Sequence, residues 1–365
     1  MYISIILPCY NEVNNLSKLI RNLINKILET NYNFEIIIVD DNSNDGSIAL
    51  IKKLSRKYSN IKLIERVGRS GLGSAIKEGL LSSCGDYALV MDSDGQHDLN
   101  DAISCLNKVI SEKKDLVVAS RFKKNSKLIG LSKRREKGSS YANKIARLSL
   151  SNKYSQITDY MSGCFALNMN ICKDYLNKIE INGFKFLYEL LSVSKGDLNI
   201  SEVPLKFNER NFGKSKLDIA IVWDFVISII HSFTKKILPR NSISFALVGF
   251  IGIFVQLFSN SLLMNFTKLE FTSTLPFAVL IAATSNYLIN NLLTFRANRL
   301  KGISLFFGLL KFWIISTLPV IANIGMATFI YKFAFNNTII SQLVGIIIVF
   351  IWNYFASSRL IWNSR

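Results

Sequence analysis

The sequence predicts a soluble α/β domain, followed by an amphipathic helix and four membrane-spanning helices. A contrast along the 365 residues supports this division. Up to about Leu217, short apolar segments alternate with charged stretches, as in a soluble domain of alternating strands and helices. From Ile243 onward, charged residues almost disappear over long spans. A chain of this length has room for two or three domains.

Four charge-free runs follow Pro239, and each is long enough to cross a membrane. A helix needs about 20 residues to cross the hydrocarbon core of a bilayer. Buried helices of a large soluble domain are the alternative, but four such runs in succession are too many for a soluble core. The runs are Asn241–Thr267, Phe271–Phe295, Phe312–Tyr331 and Phe333–Ser358.

The formal net charge of +18 points to a membrane rather than to nucleic acid, because the basic residues form no nucleic-acid-binding motif. The basic residues cluster next to the apolar runs, at the ends that would lie on the same side of the membrane. By the positive-inside rule, both chain termini and the N-terminal domain are expected in the cytoplasm, where a basic face also attracts anionic membrane lipids. The basic side carries Lys235, Lys236, Arg240, Arg296, Arg299, Lys301, Arg359 and Arg365, and the opposite loops carry Lys268, Glu270 and Lys332.

Near-continuous Ile, Val and Leu segments alternate with helical patterns in the N-terminal part. Such strands are typical of a mostly parallel sheet that helices cover on both faces. The predicted strands are Tyr2–Leu7, Phe34–Asp40, Ile61–Glu65, Tyr87–Met91 and Leu116–Ala119. The predicted helices are Asn14–Leu28, Asp45–Lys57, Gly73–Ser82 and Leu99–Ile110.

Four polar segments follow predicted strands, at the edge of the sheet where ligands of parallel sheets bind. We therefore expect them to share one site. The segments are Pro8–Glu12, Asp40–Asp45, Arg66–Gly73 and Asp92–Asp98.

The last of these segments predicts a metal site. Asp92, Asp94 and Gln96 alternate, so their side chains share one side of an extended chain. Two carboxylates and an amide oxygen are hard ligands that suit Mg²⁺ or Mn²⁺. Such a cation can bridge a diphosphate and offset the charge on a departing phosphate.

Apolar residues recur at helical spacing between the two parts, and Lys235 and Lys236 follow them. The pattern predicts an amphipathic helix in the cytoplasmic headgroup region. A core helix of the soluble domain is the alternative. The apolar positions are Ile219, Val222, Val226, Ile229 and Phe233.

The membrane part contains an internal repeat with an offset of 67 residues, which predicts two copies of one helical hairpin in the same orientation. Interhelical hydrogen bonding is expected for the asparagines inside the spans, and a groove for lipid headgroups is the alternative. The repeat aligns Phe245 with Phe312, Asn286 with Asn353, Tyr287 with Tyr354, Leu293 with Leu360 and Phe295 with Trp362.

The polar segments resemble those of the inverting GT-A glycosyltransferases, in particular the dolichol-phosphate mannose synthases and related polyprenyl-phosphate glycosyltransferases. The resemblance runs in order over residues 2–217 and implies the Rossmann-like GT-A fold, while the repeat resembles the GtrA-like four-helix membrane domain. The matching segments are LPCYNE (7–12), IIIVDDNSNDGS (36–47), GLGSA (71–75), DSDGQH (92–97), VVASRF (117–122), RREKGSSYAN (134–143), DYMSG (159–163) and EVPLKFNERNFGKSKL (202–217).

The resemblance implies a role for individual residues. Nucleotide binding is expected from Pro8, Tyr10, Glu12, Val39, Asp41 and Asp92, and metal binding from Asp92, Asp94 and Gln96. Acceptor-phosphate and donor-diphosphate binding is expected from Arg121, Arg135, Ser139, Arg210 and Lys216. The expected catalytic residues are Asp92, Asp94, Arg121, Arg135 and Arg210. In the alternative interpretations, Asp40 and Asp41 start a helix, and Arg134 and Arg135 contact lipid headgroups.

Charge explains why such a site needs arginines and a cation. Transfer to a lipid phosphate brings a dianion beside a diphosphate, and the repulsion must be offset. A phosphate monoester has a second pKa of about 6 and is ionised at neutral pH, so it attacks without a general base. In-line attack through an oxocarbenium-like state inverts the anomeric carbon.

The sequence therefore predicts an enzyme that transfers mannose from GDP-mannose to a polyprenyl (dolichyl-type) phosphate. UDP-glucose or another UDP-sugar is the alternative donor, and a non-catalytic lipid carrier or flippase is the alternative of a different class. A processive polysaccharide synthase is disfavoured, since the chain has no Gln-x-x-Arg-Trp motif. The predicted domains are 1–217 (GT-A), 218–240 (amphipathic linker helix) and 241–365 (GtrA-like).

Overall fold

The computed structural model describes residues 1–68, 71–129, 133–179, 185–209, 219–234, 236–316 and 338–363. These residues form two compact units, Met1–Phe233 and Thr234–Arg365. Each unit has its own hydrophobic core.

A seven-stranded sheet forms the centre of the first unit. Its strands are β1 (Tyr2–Cys9), β2 (Asn33–Asp40), β3 (Ile61–Glu65), β4 (Tyr87–Val90), β5 (Leu116–Ser120), β7 (Phe165–Asn168) and β8 (Ile200–Pro204). They lie in the order β3-β2-β1-β4-β7-β5-β8, and all neighbours are parallel except β7, which is antiparallel to β4 and β5. A second, two-stranded sheet pairs β6 (Lys127–Leu128) with β9 (Lys206–Phe207).

Helices cover both faces of the large sheet. They are α1 (Val13–Leu28), α2 (Ser47–Lys57), α3 (Leu72–Leu81), α4 (Leu99–Ser111), α5 (Lys133–Ser149), α6 (Met169–Lys178), α7 (Phe186–Ser194) and α8 (Ile219–Phe233). Ile5 packs into the core under α1 and α4, while the next residue, Ile6, packs into the core under α3. Because successive side chains enter opposite cores, the strands read as unbroken apolar runs.

The predicted α/β architecture with a mostly parallel sheet is confirmed. All five predicted strands and all four predicted helices are present, with ends that differ by one or two residues. The structure adds β7 and β8 to this sheet, neither of which the sequence analysis predicted. The strand β7 (FALN) is only four residues long, and α6 follows it directly.

The helix α8 packs one face on the first unit and exposes apolar side chains on the other. Ile229 lies in the core, and the ring of Phe225 lies edge-on to Tyr188 at 6.1 Å. The side chains of Ile219, Val222 and Phe233 remain 76%, 53% and 56% exposed. One face of the helix thus packs on the rest of this unit, and its other, apolar face stays exposed.

The second unit is built from long apolar helices: α9 (Arg240–Thr267), α10 (Phe271–Ile289), α11 (Ile303–Ser316 in its described part) and α12 (Thr338–Leu360). Within the described residues, the segments Arg240–Thr267 and Ser273–Thr294 are long and apolar enough to cross a membrane. The predicted spans Phe312–Tyr331 and Phe333–Ser358 fall partly on residues 317–337, which lie outside the described ranges. The count of four spans therefore stays a prediction.

Repeat-related aromatic residues meet in the core of the second unit. The ring of Phe295 stacks on Trp362 at 4.3 Å, and Trp362 donates its indole N–H to Asn291 Oδ1 at 3.0 Å. Phe245 and Phe312, a second repeat pair, belong to the same cluster. The buried Oδ1 atoms of Asn286 and Asn353 have no hydrogen-bond partner among the described residues, so the interhelical bonds expected of these oxygens are not seen there.

Candidate active site

The loops after β1 and β2 are joined by hydrogen bonds at the carboxyl edge of the sheet. Asn11 N–H donates to Ser43 Oγ at 2.8 Å, and Glu12 N–H donates to Ser47 Oγ at 3.1 Å. Asp40 closes the second loop, because its carboxylate accepts from both the N–H and the hydroxyl of Ser43 at 2.7 Å. Asp40 thus shapes the loop.

The residues predicted to bind a nucleotide lie at these adjacent strand ends. Pro8 pairs in register with Val39, and both are buried. Tyr10 is partly exposed just beyond β1. Glu12 is buried and accepts from Asn15 Nδ2 at 2.7 Å. The structure therefore brings the four side chains to one part of the edge.

Asp41 anchors the loop that follows β3. Its carboxylate accepts from Arg66 Nη1 at 2.7 Å and from Gly71 N–H at 2.9 Å. Arg66 also contacts Glu78 through Nε at 3.0 Å. Sequence reasoning gave Arg66 no role, although its position directly after a predicted strand was a usable signal.

The loop after β4 carries the predicted metal ligands. Ser93 Oγ donates to the Pro8 carbonyl at 2.8 Å, which ties this loop to the end of β1. Asp94 Oδ1 accepts from Gln96 N–H at 3.0 Å, and Gln96 Nε2 donates to the Asn208 carbonyl at 3.0 Å. The bond to Asn208 fixes the orientation of the Gln96 amide.

His97 is hydrogen-bonded to the backbone of Asp92. The Asp92 N–H donates to His97 Nδ1 at 3.3 Å, and the buried imidazole lies edge-on to Phe207 at 5.7 Å. The pKa of the Asp92 carboxyl is raised, mainly by burial. His97 opposes this rise, and the neighbouring Asp94 carboxylate adds to it. A divalent cation between the two carboxylates favours their ionised form.

A buried ion pair stands next to this loop. Arg121, which follows β5, donates from Nε to Asp159 Oδ2 at 2.7 Å and from Nη2 to Oδ1 at 2.9 Å. Burial alone raises the pKa of the Asp159 carboxyl, but the Arg121 guanidinium holds it below its usual value. Because β7 runs antiparallel to β4 and β5, it begins at their carboxyl ends. The segment before β7, which carries Asp159, therefore lies at that edge of the sheet. Sequence reasoning quoted DYMSG without assigning Asp159.

Glu202 holds the segment that carries Asp159. Its Oε1 accepts from Thr158 N–H at 2.7 Å and from Asp159 N–H at 3.2 Å. Burial raises the pKa of the Glu202 carboxyl, and these backbone hydrogen bonds oppose that rise. This geometry gives Glu202 a structural role.

Gly163 lets the same segment approach Asp92. A Cβ atom at Gly163 would lie 2.5 Å from Asp92 Oδ2 and 2.9 Å from Asp92 Cγ. Any larger residue must therefore displace the carboxylate. The position of Asp92 depends on a glycine in the strand-to-strand connection.

The helix α5 is connected to the Asp159 segment through Asn143. Asn143 Oδ1 accepts from Tyr160 N–H at 2.8 Å, and its Nδ2 donates to the Ser139 carbonyl at 3.1 Å. Ser139 itself is partly exposed. Arg135 lies on α5 with its side chain outside the described atoms, and Arg210 and Lys216 lie outside the described residues.

The oxygens of Asp92, Asp94 and Gln96 fit a hard divalent cation that takes its remaining ligands from a substrate and from water. No group of three or more His, Cys, Asp or Glu side chains suited to a metal occurs within the described ranges. Asp92 and Asp94 with the Gln96 amide supply three oxygens, and a cation such as Mg²⁺ completes its shell with water and phosphate oxygens. The residue roles at this edge stay predictions.

Comparison with known proteins identifies both parts of the chain. Residues 4–176 match the family model Glycosyl transferase family 2, and residues 244–362 match GtrA/DPMS, transmembrane domain. The matches define a membrane-bound glycosyltransferase.

One curated relative matches over nearly the whole chain, and two others match over about two thirds of it. A protein of Pyrococcus furiosus named dolichol-phosphate mannosyltransferase is 32% identical over 99% of both chains. Proteins of the same name from Mycosarcoma maydis and Saccharomyces cerevisiae are 30% and 29% identical, over 63% and 66% of this chain and 78% and 91% of their own lengths. The chain belongs to the dolichol-phosphate mannosyltransferase family.

The close approach of Gly163 to Asp92 predicts that Gly163→Ala lowers glycosyltransferase activity by about 100-fold, because a misplacement of about 1 Å in an active site can reduce the rate by that factor. Gly249→Ala is the matched control, because a Cβ atom there meets nothing within 4 Å. Both variants are compared in kcat/KM. Wild-type activity in Gly163→Ala would show that the Asp92 carboxylate tolerates displacement.

Proposed function

We propose that the enzyme transfers mannose from GDP-mannose to a polyprenyl (dolichyl-type) phosphate, with inversion at the anomeric carbon, and releases GDP. One observation carries the proposal: the carboxylates of Asp92 and Asp94 and the buried Arg121–Asp159 pair meet at one edge of the sheet. The sugar and the class of lipid are those of the dolichol-phosphate mannosyltransferase of Pyrococcus furiosus, which matches over nearly the whole chain.

The proposed donor site begins with a cation. Asp92, Asp94 and Gln96 would hold Mg²⁺ or Mn²⁺, and the bound metal supplies charge that offsets the leaving diphosphate. Ser93 donates a hydrogen bond to the Pro8 carbonyl and so holds the loop after β4 against the end of β1. The proposed metal and nucleotide sites are therefore adjacent.

The nucleotide is assigned to the adjoining loops. Pro8, Tyr10, Glu12 and Val39 would hold the base and the ribose, together with Asp41. The Asp41 carboxylate is positioned by Arg66 and the Gly71 N–H, and a carboxylate oxygen is an acceptor that suits a ring N–H. Guanine and uracil both present such a donor, so the assay below decides between them.

The acceptor phosphate is assigned to the Arg121 side of the site. Asp159 accepts from Nε and Nη2, which fixes the plane of the guanidinium, and the remaining N–H donors can bind a phosphate. Ser139, Arg135, Arg210 and Lys216 are assigned to the same phosphate-binding group. An oxygen of the ionised acceptor forms the new bond to the anomeric carbon as the bond to the diphosphate breaks.

Exposed apolar surface supports a position of α5 and α8 at the membrane. On α5, which packs on α8, Tyr141 and Leu148 are 67% and 75% exposed. We assign α5 and α8 to the cytoplasmic headgroup region, where an acceptor phosphate lies. The proposal keeps 1–217 as catalytic domain, 218–240 as linker and 241–365 as four spans.

A donor assay tests the function directly. Purified protein, Mn²⁺ and a polyprenyl phosphate are incubated with GDP-mannose or with UDP-glucose, and the lipid fraction is analysed for glycolipid. The expected product is polyprenyl-phosphate mannose from GDP-mannose alone. Product from UDP-glucose alone would overturn the donor assignment, and no product from either donor would overturn the transfer reaction.

The apolar face of α5 predicts that Leu148→Glu impairs use of a long-chain acceptor in bilayers, because a charge on this face opposes insertion into the headgroup region. A rise of about tenfold in acceptor KM is expected in vesicles, which corresponds to about 1.4 kcal/mol. Activity on a short, water-soluble prenyl phosphate should not change. Leu28→Glu, at a 67% exposed position of α1, is the control. Equal losses on both acceptors would contradict the assignment.

A further inference from the structure

Phe207 is the last residue of the short strand β9, and its ring lies next to two parts of the site at once. The ring meets the imidazole of His97 edge-on, with 5.7 Å between the two ring centroids. The guanidinium of Arg121 lies over the same ring, with its Cζ atom 5.9 Å from the centroid. One aromatic side chain therefore contacts both the loop that carries the predicted metal ligands and the arginine assigned to the acceptor phosphate.

Backbone contacts hold the end of β9 against the loop after β4. Asn208, which directly follows Phe207, is bonded twice to Gln96. Its N–H donates to the Gln96 carbonyl at 2.8 Å, and its own carbonyl accepts from Gln96 Nε2 at 3.0 Å. His97 and Phe207 also form an antiparallel backbone bridge. The position of the Phe207 ring is thus set by the loop after β4.

The guanidinium of Arg121 needs a support on its flat face. Asp159 accepts from Nε and from Nη2, and both of these bonds lie close to the plane of the guanidinium. Movement out of that plane has to be limited by packing. An aromatic ring within about 6 Å attracts a cation, and the attraction is stronger where water is excluded. The Arg121 side chain is 13% exposed, so its contact with Phe207 is largely shielded from water.

A second ring near Arg121 cannot take over this role. The ring centroid of Phe122 lies 5.5 Å from Arg121 Cζ. Because Phe122 directly follows Arg121 in the chain, it moves with the arginine and does not tie it to another part of the site. Phe207 belongs to a different strand and packs against the core under α1 and α4. The contact with Phe207 therefore relates the position of the guanidinium to that of the loop after β4.

We propose that Phe207 is a positioning residue for Arg121. Its ring, which the loop after β4 holds in place, keeps the guanidinium where its remaining N–H donors bind the acceptor phosphate. This inference rests on the proposed function. Phe207 acts through Arg121 and not on a substrate. A displaced guanidinium binds the acceptor less well, so loss of the ring raises the acceptor KM more than it lowers kcat.

The test compares Phe207→Leu with Phe207→Tyr and Phe34→Leu in the full-length protein. Leucine keeps an apolar side chain without the ring, whereas tyrosine keeps the ring. Phe34 is the matched control, because it is also partly buried against the same core but lies near the amino end of β2. The acceptor KM should rise about tenfold in Phe207→Leu, as expected for the loss of one shielded cation–ring contact. The KM for GDP-mannose, kcat and the Mn²⁺ concentration for half-maximal activity should stay within about twofold.

The other variants complete the test. Phe207→Tyr and Phe34→Leu should each keep the acceptor KM within about twofold of the wild type. An unchanged acceptor KM in Phe207→Leu would overturn the inference, as would a comparable rise in Phe34→Leu or in Phe207→Tyr. Equal rises in both KM values would overturn it in favour of a general structural role, and a change confined to the Mn²⁺ requirement would overturn it in favour of a role at His97. Failure of the proposed function looks different, because the wild-type protein would then form no mannolipid.

Discussion

The buried ion pair between Arg121 and Asp159 is the interaction on which the site depends. It joins the end of β5 to the segment that enters β7, and Glu202 holds that segment from the other side. The same segment brings Gly163 against Asp92. Breaking a buried pair by removing one partner costs about 3–5 kcal/mol, because the other charge is left without compensation. Loss of Asp159 would therefore disturb the phosphate side and the metal side together.

Different strands of the sheet lead into the loops assigned to the nucleotide and into those assigned to the acceptor phosphate. The loops after β1, β2 and β3 are joined through Ser43, Ser47 and Arg66 and form the side assigned to the nucleotide. The loop after β4 carries the carboxylates. The segments around β5 and β7 carry the guanidinium and connect to α5 through Asn143. In the proposed function, the donor diphosphate would lie beside the carboxylates of Asp92 and Asp94 and the acceptor phosphate beside Arg121, and the positive charge between them would reduce their repulsion.

Five of the six parallel strands were predictable because residues such as Ile5 and Ile6 enter opposite cores, which leaves a long apolar run in the sequence. The parallel strand β8 and the antiparallel strand β7 were not predicted, and β7 is only four residues long and is followed directly by α6. Asp159 was missed with it, although an aspartate before a buried strand needs a partner. Half of the ends of the predicted elements differ by a residue or two, within the usual fraying of helix and strand ends.

The central claim is that Asp92 and Asp94 bind a divalent cation that bridges the diphosphate of the nucleotide. Calorimetric titration of GDP into the full-length protein, with Mn²⁺ and with a chelator, measures this most directly. The account predicts that Mn²⁺ strengthens GDP binding at least ~10-fold in the wild type and in Asp174→Asn, an exposed control, and has no such effect in Asp94→Asn. Equal GDP affinity of the wild type with Mn²⁺ and with chelator would contradict it.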